Sequence, residues 1–277
     1  MRIPFVKMHG AANDFVVVDH RRAFLAEPLT PLVSRLCDRR RGVGADGVLL
    51  LESDPELDFA MRYFNADGRA ADYCGNGARC LARLALDLGL GAQGCVSFRT
   101  AVGVQAARRD ADDRIIELTF GRVLGDGDRM RVEACGRAFE GRRVTAGVPH
   151  FVTEVERVEW VPVAEWGAAL RHHRDFGASG ANVDFVARLG PSRLAMRTYE
   201  RGVEAETLAC GSGAIASALW AAAAGDDSPV HVLTAGGDEL VVGYARKDGC
   251  YDVTLTGPAD VAFAGEWMEP APAPASV

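Results

Sequence analysis

The sequence predicts a mixed α+β (α/β mixed) protein built from two similar halves, and two patterns support this prediction. The motif Cys74-Gly-Asn-Gly-Ala recurs as Cys210-Gly-Ser-Gly-Ala, 136 positions later in a chain of 277 residues. A tyrosine precedes each cysteine by 11 positions, at Tyr63 and Tyr199. Short apolar and β-branched runs alternate with a few helical segments, and a prior of ~150 residues per domain gives about two domains.

In the first half, strands are expected where apolar residues run together between turn signals. The predicted strands are residues 15–19, 47–52, 59–64, 96–99 and 115–120. A helix is predicted over residues 31–40 and another over residues 78–88. Gly42 and Gly89 follow these helices, and glycine is favoured just after the last helical turn.

The second half repeats this scheme. Its predicted strands are residues 142–145, 151–155, 182–187 and 194–199, with several more between 231 and 255, and its predicted helices are residues 163–172 and 213–224. Glycine and aspartate cluster over residues 121–128, which indicates a joint between the halves. We therefore predict domains over residues 1–121 and 122–258, a strand over 259–269 that returns to the first half, and a disordered tail over 270–277.

Composition excludes several classes of protein. The net charge of −7 argues against a general nucleic-acid binder, because phosphate neutralisation needs a basic surface. The start of the sequence has no long apolar core, and no apolar run reaches the ~20 residues that cross a bilayer. The seven cysteines are odd in number and widely spaced, which favours free thiols in a reducing compartment. We expect a cytoplasmic protein that binds neither membrane nor nucleic acid.

Each motif cysteine is predicted to stand where a glycine-rich turn enters a helix. Glycine lets the backbone approach a ligand closely, and the free N–H groups of a helix start suit a carboxylate. The same positive end of a helix is expected to lower the pKa of both thiols. A single such cysteine is more often a buried structural residue, but two in matched contexts predict facing thiols around one substrate. Packing roles are predicted for the other five cysteines: Cys37, Cys80, Cys95, Cys135 and Cys250.

Other chemistry is disfavoured. The run Gly42-Val-Gly44-Ala-Asp-Gly47 matches the glycine spacing of dinucleotide-binding loops, but here a helix is predicted before it and a strand after it, so a tight turn is expected. The chain has no C-x-x-C and no H-x-x-x-H pattern, so no metal site is predicted. The run Arg39-Arg40-Arg41 is predicted to be the solvated end of a helix.

Polar residues at predicted strand ends are solvated or capping residues by default. Arg201 differs because it lies inside the second motif, and its guanidinium matches the geometry of a carboxylate. We predict that Arg201 holds a charged group of the substrate. His150 is structural by default and gains a catalytic meaning only as the partner of a thiol.

These motifs resemble those of the diaminopimelate epimerase family. The resemblance implies an enzyme that interconverts LL-2,6-diaminopimelate and meso-diaminopimelate, in lysine and peptidoglycan biosynthesis, through a thiolate/thiol pair and without pyridoxal phosphate. It implies two pseudo-symmetric domains, each a mixed or antiparallel sheet wrapped around a central helix, with the active site in the inter-domain cleft. The segments that carry it are Lys7-Met-His-Gly-Ala-Ala-Asn-Asp-Phe15, Asn65-Ala-Asp-Gly, Cys74-Gly-Asn-Gly-Ala-Arg-Cys80, Pro149-His150, Asn182-Val-Asp-Phe, Tyr199-Glu-Arg-Gly and Ala209-Cys-Gly-Ser-Gly213, and the match extends to Ala259.

The resemblance also implies roles for single residues. Cys74 and Cys210 match the catalytic cysteines, and His150 and Glu200 match groups that tune the thiols. It implies no cofactor and no metal, and Phe263 falls where the family has an aromatic dimer contact, so a homodimer is expected. The positions that match substrate-binding residues are Asn13, Asn65, Gly75, Asn76, Asn182, Glu200, Arg201, Gly211 and Ser212.

Three positions depart from the common form of the family. Gly47 stands where some members have a glutamine that contacts the substrate, and Val148 stands where many have asparagine. Residues 202–206 form a stretch one residue longer than the usual version. The first two changes remove polar side chains, so recognition of the far end of the substrate is left open.

Two alternatives remain at this stage. The first is a related two-cysteine racemase acting on proline or histidine, which has less need of Arg201, Asn65 and Asn182. The second is a non-catalytic binding protein on the same scaffold, because a fold alone does not determine function. The presence of both cysteines favours the enzyme.

Overall fold

The computed structural model describes residues 1–71, 73–125 and 127–269. The predicted disordered tail lies outside the described residues. The strands are β1 (Arg2–Gly10), β2 (Asn13–Asp19), β3 (Gly47–Glu52), β4 (Phe59–Asn65), β5 (Ala70–Ala71), β6 (Cys95–Thr100), β7 (Gly103–Arg109), β8 (Ile115–Leu124), β9 (Asp128–Ala134), β10 (Arg137–Ala146), β11 (Val148–Glu154), β12 (Asn182–Gly190), β13 (Arg193–Glu200), β14 (Ala205–Thr207), β15 (Val230–Leu233), β16 (Glu239–Lys247), β17 (Cys250–Pro258) and β18 (Asp260–Met268). The helices are α1 (Thr30–Cys37), α2 (Gly75–Asp87), α3 (Val163–Arg171) and α4 (Gly211–Ala223), with 3-10 turns at Val158–Trp160 and Arg174–Phe176.

The predicted mixed α+β class is confirmed, with many strands and few helices. The four predicted helices are present, but the two that follow the cysteine motifs begin earlier than predicted. The motif glycines form the first helical turn instead of a separate loop, so α2 begins at Gly75 and α4 at Gly211. Each cysteine is therefore the residue that caps its helix.

The chain divides into two compact units. The first contains residues 1–10, 14–106 and 259 onward, and the second contains residues 11–13 and 107–258. Strand β18 belongs to the first unit because it pairs antiparallel with β1. Strand β8 belongs to the second unit because it pairs antiparallel with β17 along its length. The chain thus passes between the units near residue 106, before the glycine-rich segment that suggested a joint.

In the first unit, strands surround helix α2. Strand β2 pairs parallel with β3, β3 antiparallel with β4, and β4 parallel with β6. Helix α2 contacts β1, β3, β4 and β6 and buries its small and aliphatic side chains against them. A second apolar cluster joins α1 to the other face of these strands.

The turn that follows α1 carries the Gly42–Gly47 pattern. The amides of Val43 and Gly44 donate to the carbonyl of Leu36, and Gly44 has a φ of +79°, which glycine adopts without strain. Strand β3 then begins at Gly47. The expected tight turn between a helix and a strand is confirmed.

The second unit repeats this arrangement around α4. Strand β11 pairs parallel with β12, β12 antiparallel with β13, and β13 parallel with β15. Helix α4 is alanine-rich and buried along most of its length, as expected of a helix that is apolar on all sides. Helix α3 packs on the other face of the sheet, with Gly167 directly against Tyr199.

The register of the strands corrects the internal alignment. Leu49 lies opposite Tyr63 in the first unit, and Asp184 lies opposite Thr198 in the second. The strand Met61-Arg-Tyr-Phe-Asn therefore corresponds to Met196-Arg-Thr-Tyr-Glu, 135 positions on, whereas the helices correspond at 136. Tyr63 and Tyr199 are not equivalent, because the longer loop after β13 adds one residue.

Among the described residues, the longest helices have 13 residues, and none combines the length and hydropathy needed to cross a membrane.

Candidate active site

The predicted site residues fall into two groups, one in each unit. The first unit contains Asn65, Cys74, Gly75 and Asn76. The second contains Asn13, His150, Asn182, Glu200, Arg201, Cys210, Gly211 and Ser212. Each group includes one cysteine at the start of a 13-residue helix.

In the first unit, Cys74 has extended backbone angles and precedes the first helical residue of α2. The amides of Gly75 and Asn76 belong to the first turn, where N–H groups have no partner within the helix. The side chain of Asn76 is buried, and its Oδ1 accepts a hydrogen bond of 2.8 Å from the buried Arg79. The predicted role of Asn76 in binding a carboxylate therefore concerns its backbone amide.

Asn65 ends strand β4 directly opposite Gly47. Its Oδ1 accepts a hydrogen bond of 2.9 Å from the hydroxyl of Tyr63, which leaves the NH₂ group as the donating end of the amide. A Cβ at Gly47 would lie 2.7 Å from Cε2 of Tyr63 and 2.5 Å from the carbonyl oxygen of Phe64. The ring of Tyr63 thus fills the space beside position 47, where some family members have glutamine.

In the second unit, Cys210 caps α4 and is only 5% exposed. The amide of Gly213 donates to its Sγ at 3.4 Å, and Oγ of Ser212 lies 3.4 Å from the same sulfur. Burial raises the pKa of the Cys210 thiol, and the carboxylates of Glu200 and Asp184 raise it further. The expected lowering by the helix start is wrong for this cysteine, because burial and two nearby carboxylates outweigh the two hydrogen bonds.

His150 takes part in a buried hydrogen-bond chain. The amide N–H of Arg201 donates to Oδ1 of Asn182 at 2.7 Å, and Nδ2 of Asn182 lies 3.2 Å from Nε2 of His150. Nδ1 of His150 lies 2.7 Å from Oδ2 of Asp184, and Thr198 Oγ1 donates to Oδ1 of Asp184 at 2.7 Å. His150 is therefore fully buried, with a hydrogen-bond partner at each ring nitrogen.

Sequence reasoning missed Asp184 and Thr198. A signal for Asp184 was present, since it is the one charge in the otherwise apolar run Val183-Asp-Phe-Val-Ala187. Charged residues are almost never fully buried unless they are paired. Thr198 gave no comparable signal, because threonine is common in strands.

Glu200 and Arg201 follow each other at the end of β13 but differ in environment. Burial raises the pKa of the Glu200 carboxyl. Arg201 is partly buried, and among the described residues no carboxylate lies within ion-pair distance of its guanidinium. This favours the predicted role of Arg201 in holding a charged group over the alternative of a surface ion pair.

Asn13 opens β2 after two consecutive left-handed residues, Ala11 at φ 52° and Ala12 at φ 65°. The next residue, Asp14, accepts hydrogen bonds from Arg39 at 2.7 and 2.9 Å and from Lys7 at 2.6 Å. Arg39 thus forms an ion pair with Asp14, although much of its side chain is exposed. Helix α1 ends at Cys37, so Arg39 lies beyond the helix. The prediction that Arg39 is only a solvated residue at the end of a helix is therefore wrong.

An open groove lies elsewhere in the second unit. It has a volume of about 1080 Å³, is lined by β9–β11, by Trp160 and by Trp166, and contains none of the predicted site residues. The chemistry suggested by the two motifs does not depend on this groove.

Comparison with known proteins finds relatives along nearly the whole chain. The family model described as "Diaminopimelate epimerase" matches residues 5–123 and 143–260. A diaminopimelate epimerase from Aquifex aeolicus is 38% identical over 276 residues, covering 96% of this chain and 98% of the relative. One from Aromatoleum aromaticum is 38% identical over 281 residues, covering 96% and 99%.

A solved structure supports the fold alone. A probable proline racemase from Agrobacterium radiobacter superimposes with a TM-score of 0.72 at 16% identity, covering 95% of this chain and 92% of that one. The two diaminopimelate epimerases, at 38% identity, are much more similar to this chain in sequence than the solved structure is, at 16%. Because the family model covers most of both units, including both cysteine helices, the chain belongs to the diaminopimelate epimerase family.

Proposed function

We propose that the protein interconverts LL-2,6-diaminopimelate and meso-diaminopimelate through Cys74 and Cys210, without pyridoxal phosphate. One observation carries the proposal: the chain aligns over nearly its whole length with proteins named diaminopimelate epimerase. The structure is consistent with it, since in each unit a cysteine caps an equivalent helix. The activity places the protein in lysine biosynthesis.

The mechanism follows from the chemistry of the two helix starts. One cysteine, as thiolate, removes the α-proton, so that an S–H bond forms as the C–H bond breaks. The other cysteine, as thiol, delivers its proton to the opposite face of the same carbon. The thiols then exchange roles, and the reverse reaction uses the same pair.

Charge that develops during proton removal spreads into the α-carboxylate. Backbone N–H groups at a helix start are aimed outward and bind anions without reorganisation. In this proposal the amides of Gly75 and Asn76, and those of Gly211 and Ser212, stabilise that charge. Such stabilisation removes the need for an electron-sink cofactor.

The substrate has a second amino acid group, and a charge held in a closed site needs a partner. Arg201 is assigned to this carboxylate, with Asn13, Asn65 and Asn182 as neutral polar partners. Glu200 is placed near an amino group, and His150 and Glu200 tune the thiols. The support is the unpaired guanidinium of Arg201 among the described residues and the orientation of the Asn65 amide by Tyr63.

We also propose a homodimer in the cytoplasm. Free cysteines fit a reducing compartment, and all seven are free in the structure. Strand β18 pairs with β1 on one side and exposes Val261, Phe263 and Met268. Phe263 is 51% exposed although it packs edge-on against Phe5, and exposed aromatic side chains on a strand suit a two-fold interface.

The decisive experiment is an epimerisation assay in D₂O with LL-diaminopimelate, with L-proline and L-histidine as controls. We expect meso-diaminopimelate to form with deuterium at the inverted α-carbon, and neither control to change. Racemisation of proline or histidine, with no change in diaminopimelate, would instead support the related racemase. No exchange into any of the three would support the non-catalytic alternative.

A further inference from the structure

The two equivalent helix starts rest on chemically different side chains. In the first unit, a Cβ at Gly77 would meet the methyl carbons of Leu49 at 3.1 and 3.3 Å and the ring of Phe15 at 3.4 Å. In the second unit, a Cβ at the equivalent Gly213 would lie 2.5 Å from Oδ1 of Asp184. A carboxylate thus occupies, beneath one helix, the place that an apolar side chain takes beneath the other.

The fold itself does not require a charge at this place. Leu49 and Asp184 hold the same position in the register, opposite Tyr63 and Thr198 respectively, and Leu49 is fully buried. Burying a carboxylate in place of leucine costs free energy even when the carboxylate is hydrogen-bonded. Because the sister unit folds with leucine at this position, the fold alone gives no reason for a carboxylate here.

The hydrogen-bond directions assign the charge of Asp184. Since Oδ1 of Asn182 accepts from the amide of Arg201, its Nδ2 donates to Nε2 of His150. The proton of His150 is therefore on Nδ1 and is donated to Oδ2 of Asp184, while Thr198 donates to Oδ1. Asp184 accepts at both oxygens, as an ionised carboxylate does.

The carboxylate of Asp184 lies close to Cys210. The Cβ position of Gly213 is 2.5 Å from Oδ1 of Asp184 and 3.3 Å from Cβ of Cys210, so the carboxylate oxygen is within about 6 Å of that carbon. Other groups that face Cys210 are Glu200, Ser212 and the amide of Gly213. A negative charge at this distance inside a protein disfavours a thiolate.

We propose that Asp184 is a positioning residue that keeps Cys210 in the protonated thiol form in the resting protein. Because the equivalent position beneath α2 is leucine, the effect acts on one thiol of the pair. On the proposed function, on which this inference rests, the resting enzyme then uses Cys74 as base and Cys210 as proton donor for the isomer whose α-hydrogen faces Cys74, and the other isomer requires that the two thiols have first exchanged roles. Asp184 also orients His150 through Nδ1, which keeps Nε2 of the ring as an acceptor.

The test is the pH dependence of alkylation of Cys210 by iodoacetamide, followed by peptide mapping, in the full chain. The Asp184→Asn substitution keeps the shape and removes the charge. We expect the midpoint pH of Cys210 labelling to fall by about one unit and the labelling rate at pH 7 to rise at least about threefold, since a lower thiol pKa gives more thiolate but a weaker nucleophile.

Two control variants separate charge from packing. Asp252→Asn removes an exposed carboxylate of the same unit, paired with Arg122 at 3.4 Å, and should leave Cys210 labelling unchanged. Thr198→Val removes one hydrogen bond to Asp184 but leaves its charge, so its shift should be much smaller than that of Asp184→Asn. Equal shifts for Thr198→Val and Asp184→Asn would overturn the proposal in favour of a purely structural network.

A measurement on the unsubstituted protein covers the case in which Asp184→Asn does not fold. The infrared S–H band of Cys210, identified by its loss in Cys210→Ala, should persist through neutral pH. Its absence at neutral pH would overturn the proposal, as would an unchanged labelling midpoint in a folded Asp184→Asn variant. If the unsubstituted protein epimerises diaminopimelate but Asp184→Asn leaves the labelling midpoint of Cys210 unchanged, only the role of Asp184 is rejected. If Asp184→Asn shifts the midpoint but the unsubstituted protein does not epimerise diaminopimelate, the role of Asp184 is supported and the proposed function is rejected.

Discussion

The backbone amide of Arg201 donates a hydrogen bond of 2.7 Å to Oδ1 of Asn182. This bond ties the residue after β13 to the first residue of β12. The backbone of Arg201 is therefore fixed, while no carboxylate among the described residues pairs with its guanidinium. Because the backbone of Arg201 is already fixed, less conformational entropy is lost when its guanidinium binds an anionic group.

Replacing Arg201 with alanine should weaken transition-state binding by ~2–4 kcal/mol, the scale for removing one partner of a buried charged pair. This corresponds to a fall in kcat/KM of about 30-fold to about 1000-fold. Arg201→Lys should recover only part of the loss, because it lacks the two-pronged geometry. Arg193→Ala, which removes an exposed arginine paired with Glu239, is the control. A loss under about fivefold for Arg201→Ala would make Arg201 structural.

Each motif cysteine should be required for turnover. Cys74→Ala and Cys210→Ala should each abolish epimerisation, measured by conversion of LL-diaminopimelate, while circular dichroism shows a retained fold. Cys95→Ala, at an exposed cysteine outside the motifs, should keep full activity. Wild-type turnover in either motif variant would contradict the two-base mechanism.

The hydroxyl of Tyr63 should matter for substrate binding because it orients the amide of Asn65 at 2.9 Å. Tyr63→Phe keeps the ring beside Gly47 and removes one hydrogen bond, worth ~0.5–1.5 kcal/mol. We expect KM to rise by about two- to tenfold with kcat little changed. Tyr244→Phe, which removes a hydroxyl bonded to the carbonyl of Asp226, is the matched control and should leave KM unchanged. A fall in kcat alone would contradict a binding role.

Glu200 should lower stability at neutral pH. Burial raises the pKa of its carboxyl above the ordinary value of 4.5, so the folded state binds the proton more tightly than the unfolded chain does. The protonated carboxyl therefore does not destabilise the folded state at low pH, and the destabilisation develops as the pH rises through the raised pKa of Glu200. Glu200→Gln should raise the melting temperature at pH 8, with a gain that shrinks toward pH 4, and should reduce epimerisation. A melting temperature difference independent of pH would contradict this assignment.

The proposed dimer predicts that Phe263→Asp yields a monomer. The side chain lies on β18 and is half exposed, so a charge there is tolerated by the monomer but not by an apolar interface. Sedimentation velocity at micromolar concentration should show a dimer for the unsubstituted protein and a monomer for the variant. Asp252→Asn, which changes an exposed side chain on β17 of the other unit, should remain dimeric. A monomeric unsubstituted protein would reject the interface.

Much of the fold was predictable from local pattern. The strands β3 and β4 and the helix α3 appear within one residue of their predicted bounds, because apolar runs and glycine punctuation are local signals. Strands β1, β7 and β9 were not predicted. Strand β7 shows little alternation, whereas β9 does alternate, with Met130 and Val132 between charged residues, and that signal was overlooked. The starts of α2 and α4 were also placed too late, because glycine at a helix start is indistinguishable in sequence from glycine in a loop.

The sequence by itself determined the two cysteine motifs, their helices and the family, because these depend on residue identity and spacing along the chain. The tertiary structure decided what lies beneath each cysteine. Which side chain of a strand faces a helix depends on register, and one inserted residue after β13 shifts that register relative to the motif. For this reason only the folded chain shows that Leu49 and Asp184 are equivalent, and that one helix start packs on an apolar side chain while the other packs on a carboxylate.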